Sequence, residues 1–415
     1  MRRISFVVFI LVVAVAVLAV VFFNGYVSWP LGQAEEMGGL EGAIAEFQRA
    51  IELNPGNAEA YRYLGQAYLA QGDWKAAKEV YKQAIEANPD QAWPYMELGH
   101  IYRIRQKTTK ALKQYLRAIE IDPTVPGYHE MAGSMYWSQG NLEQALVHYR
   151  RAVELPPDWA SKHLSLGAIL LQLGQRAEGM AELEKALLLG SESSAMYRMA
   201  GDVYLKYGSL DRALSCYKQA IGVDPTDVEA HLGLSRLYRQ EGEHEAAVEY
   251  AQKAIAASQD SPSIARAHME VGYAYQAQQK TDEALEKFLL AIELDSTVPG
   301  YHETVGDLYW SQGNLEQAMA HYRRAVELPP DWASKHLSLG AVLLEAGYQT
   351  EGMQELEKGL SLKPESTTYW YVGELYLKHQ TWDEAQPYFE QAVKLDPSYA
   401  QAYQNLVSLH DQQGG

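Results

Sequence analysis

Apolar residues recur at spacings of three and four along most of this 415-residue chain, in short runs separated by polar breaks that contain Gly or Pro. Such spacing predicts amphipathic helices, each with one apolar stripe. Ala58 to Gln91, AEAYRYLGQAYLAQGDWKAAKEVYKQAIEANPDQ, reads as two helices joined by a turn. Its marker positions are Tyr61, Leu64, Gly65, Tyr68, Ala77, Tyr81, Ala84 and Pro89. The same types return 34 residues later at Tyr95, Leu98, Gly99, Tyr102, Ala111, Tyr115, Ala118 and Pro123.

With this period and these residues the chain resembles the tetratricopeptide repeat (TPR) family from about Leu40 to the C-terminus. The resemblance implies an all-α solenoid, a right-handed superhelix of antiparallel helix pairs that grows by stacking around no single large core. Within a unit, small residues at Gly65 and Ala77 let the paired helices approach. Tyr68 and Tyr81 fill the space between them, and Pro89 ends the second helix.

Residues 40–54 supply only a second helix, with Ala43, Phe47, Ala50 and Pro55 matching the latter half of the motif. Ten units follow at 58–91, 92–125, 126–159, 160–193, 194–227, 228–261, 265–298, 299–332, 333–365 and 366–399. The array thus spans 40–399, and residues 400–415 read as a capping helix and tail. Gly179 and Gly352 replace the small Ala, and Ser191 and Ser296 replace the Pro. Pro262-Ser263-Ile264 is extra, and its composition predicts a longer connection.

A longer-range copy is superimposed on the short period. Residues 124–175 and 297–348 differ at only ten positions, at an offset of 173 residues, which is five units plus the three extra residues. Duplication of a five-unit block explains this. Two equivalent surfaces five units apart would permit bivalent capture of a partner, or self-association.

The N-terminus is of a different kind. After Met1-Arg2-Arg3 come 20 uncharged residues, Ile4 to Phe23. At 1.5 Å per residue they would cover about 30 Å, the hydrocarbon thickness of a bilayer. A cleaved signal would have a shorter apolar core and a small-residue cleavage pattern. Residues 1–25 are therefore expected to form one transmembrane anchor and 26–39 a juxtamembrane linker, with Tyr26 and Trp29 at the interface. Arg2 and Arg3 precede the span, and the first basic residue after it is Arg49. The N-terminus is expected in the cytoplasm and the repeats outside it. A secreted protein with a cleaved signal is the alternative.

Composition narrows the partners. Hydrophobic residues make up 47% and the net charge is −18. A surface this acidic argues against nucleic acid and anionic lipid as ligands of the repeats. The one cysteine, Cys216, beside Tyr217, reads as a small buried residue, and no CxxC pair is present. No nucleophile elbow, phosphate-cradling loop, HExxH or EF-hand loop occurs. Repeats account for nearly everything after the apolar segment, so no catalytic residue, cofactor or metal is expected.

Histidines recur at the fourth position of six units, His129, His163, His231, His268, His302 and His336. Other units place Tyr61, Tyr95, Tyr197, Tyr369 and Tyr403 there, which makes it a packing site for a flat ring rather than a metal array.

In the TPR family the first helices line a concave groove that holds an extended peptide or a helix. Carrying the groove positions over gives Arg62, Trp93, Met96, Arg103, Glu130, Trp137, Tyr273, Glu303, Asp307, Trp310, Trp370 and Tyr371 as partner-binding candidates, with Tyr63, Glu97, Arg198 and Arg239 beside them. Aromatics and Arg are the side chains that most often anchor interfaces. For each Trp the competing reading is packing across to the next unit. Trp159 and Trp332, after Pro-Pro-Asp, read as structural staples. The family's carboxylate clamp for chaperone tails is missing, because its lead positions carry Arg62 and Gln66, or Met96 and His100. The expected function is a non-catalytic, membrane-tethered scaffold for protein or peptide partners. A regulatory subunit of an enzyme complex is a further alternative.

Overall fold

The computed structural model describes residues 39–190, 192–378, 382–399, 401 and 404–405. The expected anchor at Ile4–Phe23, the linker up to residue 38 and most of the C-terminal segment lie outside the described residues. Among the described residues there are 21 helices and no strand. None of these helices is long and apolar enough to cross a membrane.

The chain divides into two compact units, Met1–Ser191 and Glu192–Gly415. The first holds α1 (Gly39–Leu53), α2 (Ala58–Ala70), α3 (Trp74–Ala87), α4 (Trp93–Ile104), α5 (Thr108–Ile121), α6 (Pro126–Ser138), α7 (Leu142–Glu154), α8 (Ala160–Gln172) and α9 (Arg176–Leu189). The second begins with α10 (Ser194–Lys206), α11 (Leu210–Val223), α12 (Val228–Glu241), α13 (His244–Ala257), α14 (Ser261–Ala277) and α15 (Thr281–Leu294). It continues with α16 (Pro299–Ser311), α17 (Leu315–Glu327), α18 (Ala333–Glu345), α19 (Gln349–Leu362), α20 (Ser366–Lys378) and α21 (Trp382–Leu395).

Each short break folds the chain back because its residues satisfy the free helix ends. Asn57 accepts the Ala60 N–H at 3.1 Å and Asp73 accepts the Ala76 N–H at 2.9 Å, as N-caps do. Gly72 sits at φ +78°, which an L side chain rarely adopts.

The extra Pro262-Ser263-Ile264 does not lengthen a connection, contrary to the sequence expectation. It adds a turn to the start of α14, which runs 17 residues. Asp260 caps that start by accepting the Ser263 N–H at 2.8 Å. Pro262 occupies the first turn, where its missing N–H costs nothing. The division between the two compact units falls between Ser191 and Glu192.

The core is a string of small clusters, each shared by a helix pair and its neighbour. Val80 and Ala84 of α3 join Tyr61 and Leu64 of α2, with Ile44, Phe47 and Ile51 of α1 against them. Helix α1 therefore covers the apolar face that α2 would otherwise expose. A Cβ on Gly65 would stand 2.2 Å from the Tyr81 ring, and one on Gly99 would stand 2.4 Å from the Tyr115 ring. Glycine is thus the residue that admits the Tyr.

The departures at Gly179 and Gly352 follow from the same packing. There the bulky ring is replaced by Leu183 or Leu356, both fully buried. The helices then approach until a Cβ on Gly167 would lie 2.9 Å from the Gly179 carbonyl oxygen. A second small residue is required where the spacer shrinks.

Candidate functional site

In the first compact unit, the candidate residues come from α2, α4 and α6. The guanidinium of Arg62 lies over the Trp93 ring, 5.0 Å from its centroid. Trp93 meets Tyr81 edge-on at 6.0 Å and donates its indole N–H to Gln91 Oε1 at 2.9 Å. Ala58, Glu59, Arg62, Asp90, Ala92, Trp93, Asp122 and Tyr128 line an open cleft beside it. Met96 packs on the cluster of Ala111, Leu112, Tyr115, Ala132 and Met135. Arg103 approaches the Tyr115 hydroxyl, and its Nε is buried without a partner.

Glu97 is half-buried beside Arg62. Burial pushes its carboxyl up to about 7, with the Arg62 charge pulling the other way. Neighbouring His100 is driven down to about 4 by burial and then by Arg103.

The sequence missed a regular pairing between the two helices of a unit. Tyr115 OH lies 3.2 Å from His100 Nδ1, Tyr217 OH donates to Asp202 Oδ1 at 2.8 Å, and Tyr322 OH donates to Asp307 Oδ1. Each Tyr lies 15 residues after its partner. A polar residue placed 15 before the marker Tyr was the signal available.

Trp137 and its copy Trp310 combine the two readings the sequence left open. Trp137 meets Tyr149 edge-on at 6.1 Å, and Trp310 meets Tyr322 at 6.2 Å. Trp137 also donates to Gln172 Oε1 on α8 at 2.7 Å. Both indoles keep part of their surface exposed. Each ring is therefore a packing residue across two units with an open face.

Glu130 and Glu303 are engaged within the protein. Trp159 Nε1 donates to Glu130 Oε2 at 3.3 Å, and Trp332 Nε1 donates to Glu303 Oε2 at 3.0 Å. Ser334 adds a bond to Glu303 at 2.9 Å. Trp159 and Trp332, each at the end of its unit, thus hold the first helix of that same unit.

The second compact unit gathers the remaining candidates. Arg198 and Arg236 approach Asp202 at 3.7 and 3.5 Å. Arg239 pairs with Glu270 at 3.4 Å and lies over the Tyr273 ring at 5.4 Å. Tyr273 OH reaches Thr304 Oγ1 at 3.1 Å. Trp310, Trp370 and Tyr371 pack against one apolar cluster that includes Leu344, Leu356, Val372 and Phe389. Asp307 is exposed, and burial followed by its charge raises the Tyr371 hydroxyl. Trp370 meets Tyr399 edge-on at 6.0 Å, and its indole N–H is buried without a partner.

Four of the six histidines meet another histidine or lie between two carboxylates, and His231 stacks on Tyr250. His129 contacts His148 Nδ1 at 3.2 Å and the Pro123 carbonyl oxygen at 3.2 Å, and His302 contacts His321 at 3.3 Å. His163 lies between Asp158, at 2.8 Å, and Glu182. His336 repeats this between Asp331, at 2.9 Å, and Glu355. Among the described residues no group of three or more His, Cys, Asp or Glu is placed to hold a metal ion.

No curated protein matches the chain. Among solved structures, the crystal structure of the APC/C hetero-tetramer Cut9–Hcn1 is similar over 91% of this chain and 94% of that one, at 13% identity and a TM-score of 0.44. The crystal structure of YrrB, described as a TPR protein with an unusual peptide-binding site, is similar over 49% of this chain and 99% of that one, at 24% identity and a TM-score of 0.36. Profiles described as tetratricopeptide repeat match residues 35–94, 67–126, 198–262, 265–297 and 373–414. A further profile, described as TPR repeat, matches residues 133–174 and 306–347, the two copies of the duplicated stretch. With helix pairs recurring along both compact units and repeat profiles matching along most of its length, the chain belongs to the tetratricopeptide repeat family.

Proposed function

We propose that this chain is a non-catalytic scaffold that binds protein or peptide partners through the face formed by the first helices of its units. The observation that carries this reading is the state of Trp310, which is anchored edge-on to Tyr322 yet keeps part of its indole exposed beside Asp307 and Tyr371. A rigid aromatic with one open face, next to a charged group, suits an interface anchor because little entropy is lost when it binds. Trp137 offers the same ring in the first compact unit, so a partner with two matching segments gains avidity.

The scaffold is further proposed to be tethered by Ile4–Phe23, with the repeats outside the cytoplasm. The length and lack of charge of that segment, and the arginines before it, support this. Tethering raises the local concentration of a membrane-bound partner without strong intrinsic affinity.

Photo-crosslinking in intact cells tests both parts. A photoreactive residue replaces Trp310 in one variant and exposed Glu316 in another. Protein adducts formed from position 310 and not from 316 are expected, with the adduct's compartment reporting topology. Equal trapping at both positions would remove the first-helix face as the binding surface. Recovery of a mature protein lacking residues 1–25 would remove the tether.

A further inference from the structure

One stretch of the first-helix face is left with unmet hydrogen-bonding groups. At the positions spaced 15 apart, Tyr115, Tyr217 and Tyr322 all have their polar partner. Gln66 and Tyr81 have the same spacing and do not bond. The Tyr81 side chain is fully buried and its hydroxyl has no partner, and Gln66 Oε1 is buried without one. Desolvation of unpaired polar groups is costly, so native structures rarely leave several together.

The third group is Glu97, whose charge the Tyr81 hydroxyl feels. Among the described residues its half-buried carboxylate has no hydrogen bond or ion pair, and Arg62, the cation that acts on it, lies over the face of Trp93. Glu270 occupies the same position in its own unit, the sixth of 34, and supplies the comparison. There Arg239, the twelfth residue of the preceding unit, sits 3.4 Å away. The twelfth residue of the unit preceding Glu97 is Leu69. Glu97 thus lacks a cation in direct contact, with Arg62 acting on it only from over the Trp93 ring.

The unmet needs are mostly for donors. A carboxylate and an amide oxygen accept hydrogen bonds, and the Tyr hydroxyl can do so. The neighbouring cleft adds Glu59, Asp90 and Asp122 along its wall. Aromatic rings at Trp93 and Tyr128 border it.

We propose that Glu97, with Gln66 and Tyr81, recognises a basic side chain, Lys or Arg, of a protein partner lying on the first-helix face. This rests on the scaffold reading above and adds the chemistry of its partner. The cation takes the place that Arg239 holds beside Glu270. Its donors satisfy the Glu97 carboxylate and the Gln66 oxygen.

The test uses the full chain in a neutral detergent and a positional library of acetylated, amidated dodecapeptides. Each position is fixed in turn as Lys, Arg, citrulline, norleucine or Glu. At one position the wild type is expected to favour Lys or Arg over citrulline and norleucine by tenfold or more. Glu97→Gln is expected to abolish that preference and to keep the residual binding, because it removes a buried charge and leaves the packing intact. Glu270→Gln, whose carboxylate is already paired, is expected to keep the preference. Peptide binding that shows no cation preference, or one that Glu97→Gln leaves intact, overturns this inference. In that case the scaffold reading still stands if Trp93→Ala weakens all the peptides. Failure of the wild type to bind any peptide overturns both.

Discussion

Trp332 donates its indole N–H to Glu303 Oε2 at 3.0 Å, joining the end of one unit to the first helix of that same unit and to Ser334 of the next. The same bond joins Trp159 to Glu130 in the first copy at 3.3 Å. A carboxylate that would otherwise face a partner is thereby committed to holding consecutive units in register.

Glu303→Ala is expected to destabilise the protein by about 1 kcal/mol or somewhat more, the cost of leaving a half-buried donor without its charged acceptor. Trp332→Phe should remove most of that penalty when combined with it. Urea unfolding of the two single variants and the double variant checks this as a thermodynamic cycle.

Gly65→Ala places a Cβ 2.2 Å from a ring carbon of Tyr81, which is fully buried and cannot move aside. Overpacking of this kind costs about 1–3 kcal/mol. In a Tyr81→Ala background the same change should be neutral or stabilising, since Ala exceeds Gly in a helix interior by about 1 kcal/mol. Thermal melts of the four proteins decide it, and an equal cost in both backgrounds would mean that the ring is not the obstacle.

Lys162 is fully buried, with its ammonium donating at 2.7 Å to the carbonyl oxygens of both Leu155 and Pro157. Lys335 repeats the arrangement at 2.6 and 2.8 Å to Leu328 and Pro330. Lys162→Met should cost at least about 1.5–3 kcal/mol, the range for a hydrogen bond to a charged group. Lys335→Met should cost a similar amount because its surroundings are copied. Chemical unfolding of each variant measures the two losses. A Met variant as stable as the wild type would show that packing of the stem, not the ammonium, holds the Pro-Pro turn.

Burial holds the His148 and His321 imidazoles down to about 4, from an ordinary 6.5, with the neighbouring His129 and His302 acting in the same direction. Between pH 6.5 and 4 the unfolded chain binds protons that the folded chain refuses, so stability falls as the pH falls through that window. Glu97 acts oppositely between 7 and 4.5, where the folded state takes up a proton and the unfolded state does not. The His148→Gln/His321→Gln double variant should flatten the loss of stability below pH 6.5, and Glu97→Gln should steepen it. Denaturation midpoints measured from pH 8 to 4.5 give both slopes.

The repeat units were legible because the period is written in residues that each have one mechanical role. A Gly that admits a ring, a Tyr that fills the gap and a Pro that ends a helix are local requirements, and they recur every 34 residues. The sequence likewise placed Trp137, Trp310 and Asp307 on first helices, and it identified Trp159 and Trp332 as staples. It misread Pro262-Ser263-Ile264, because Pro and Ser mark a helix start as readily as a loop, and the Asp260 cap decided between them.

What the sequence by itself determined is the helix-pair repeat, because hydrophobic spacing and turn residues act over a few neighbours. Only tertiary structure decided which polar groups are already satisfied. Glu303 is committed to Trp332, Glu270 to Arg239 and Asp307 to Tyr322, whereas the Gln66 and Tyr81 oxygens are buried without a partner. These outcomes depend on contacts 15 to 31 residues apart and on how far each group is removed from water. A carboxylate in the sequence carries no sign of whether folding will bring it a cation.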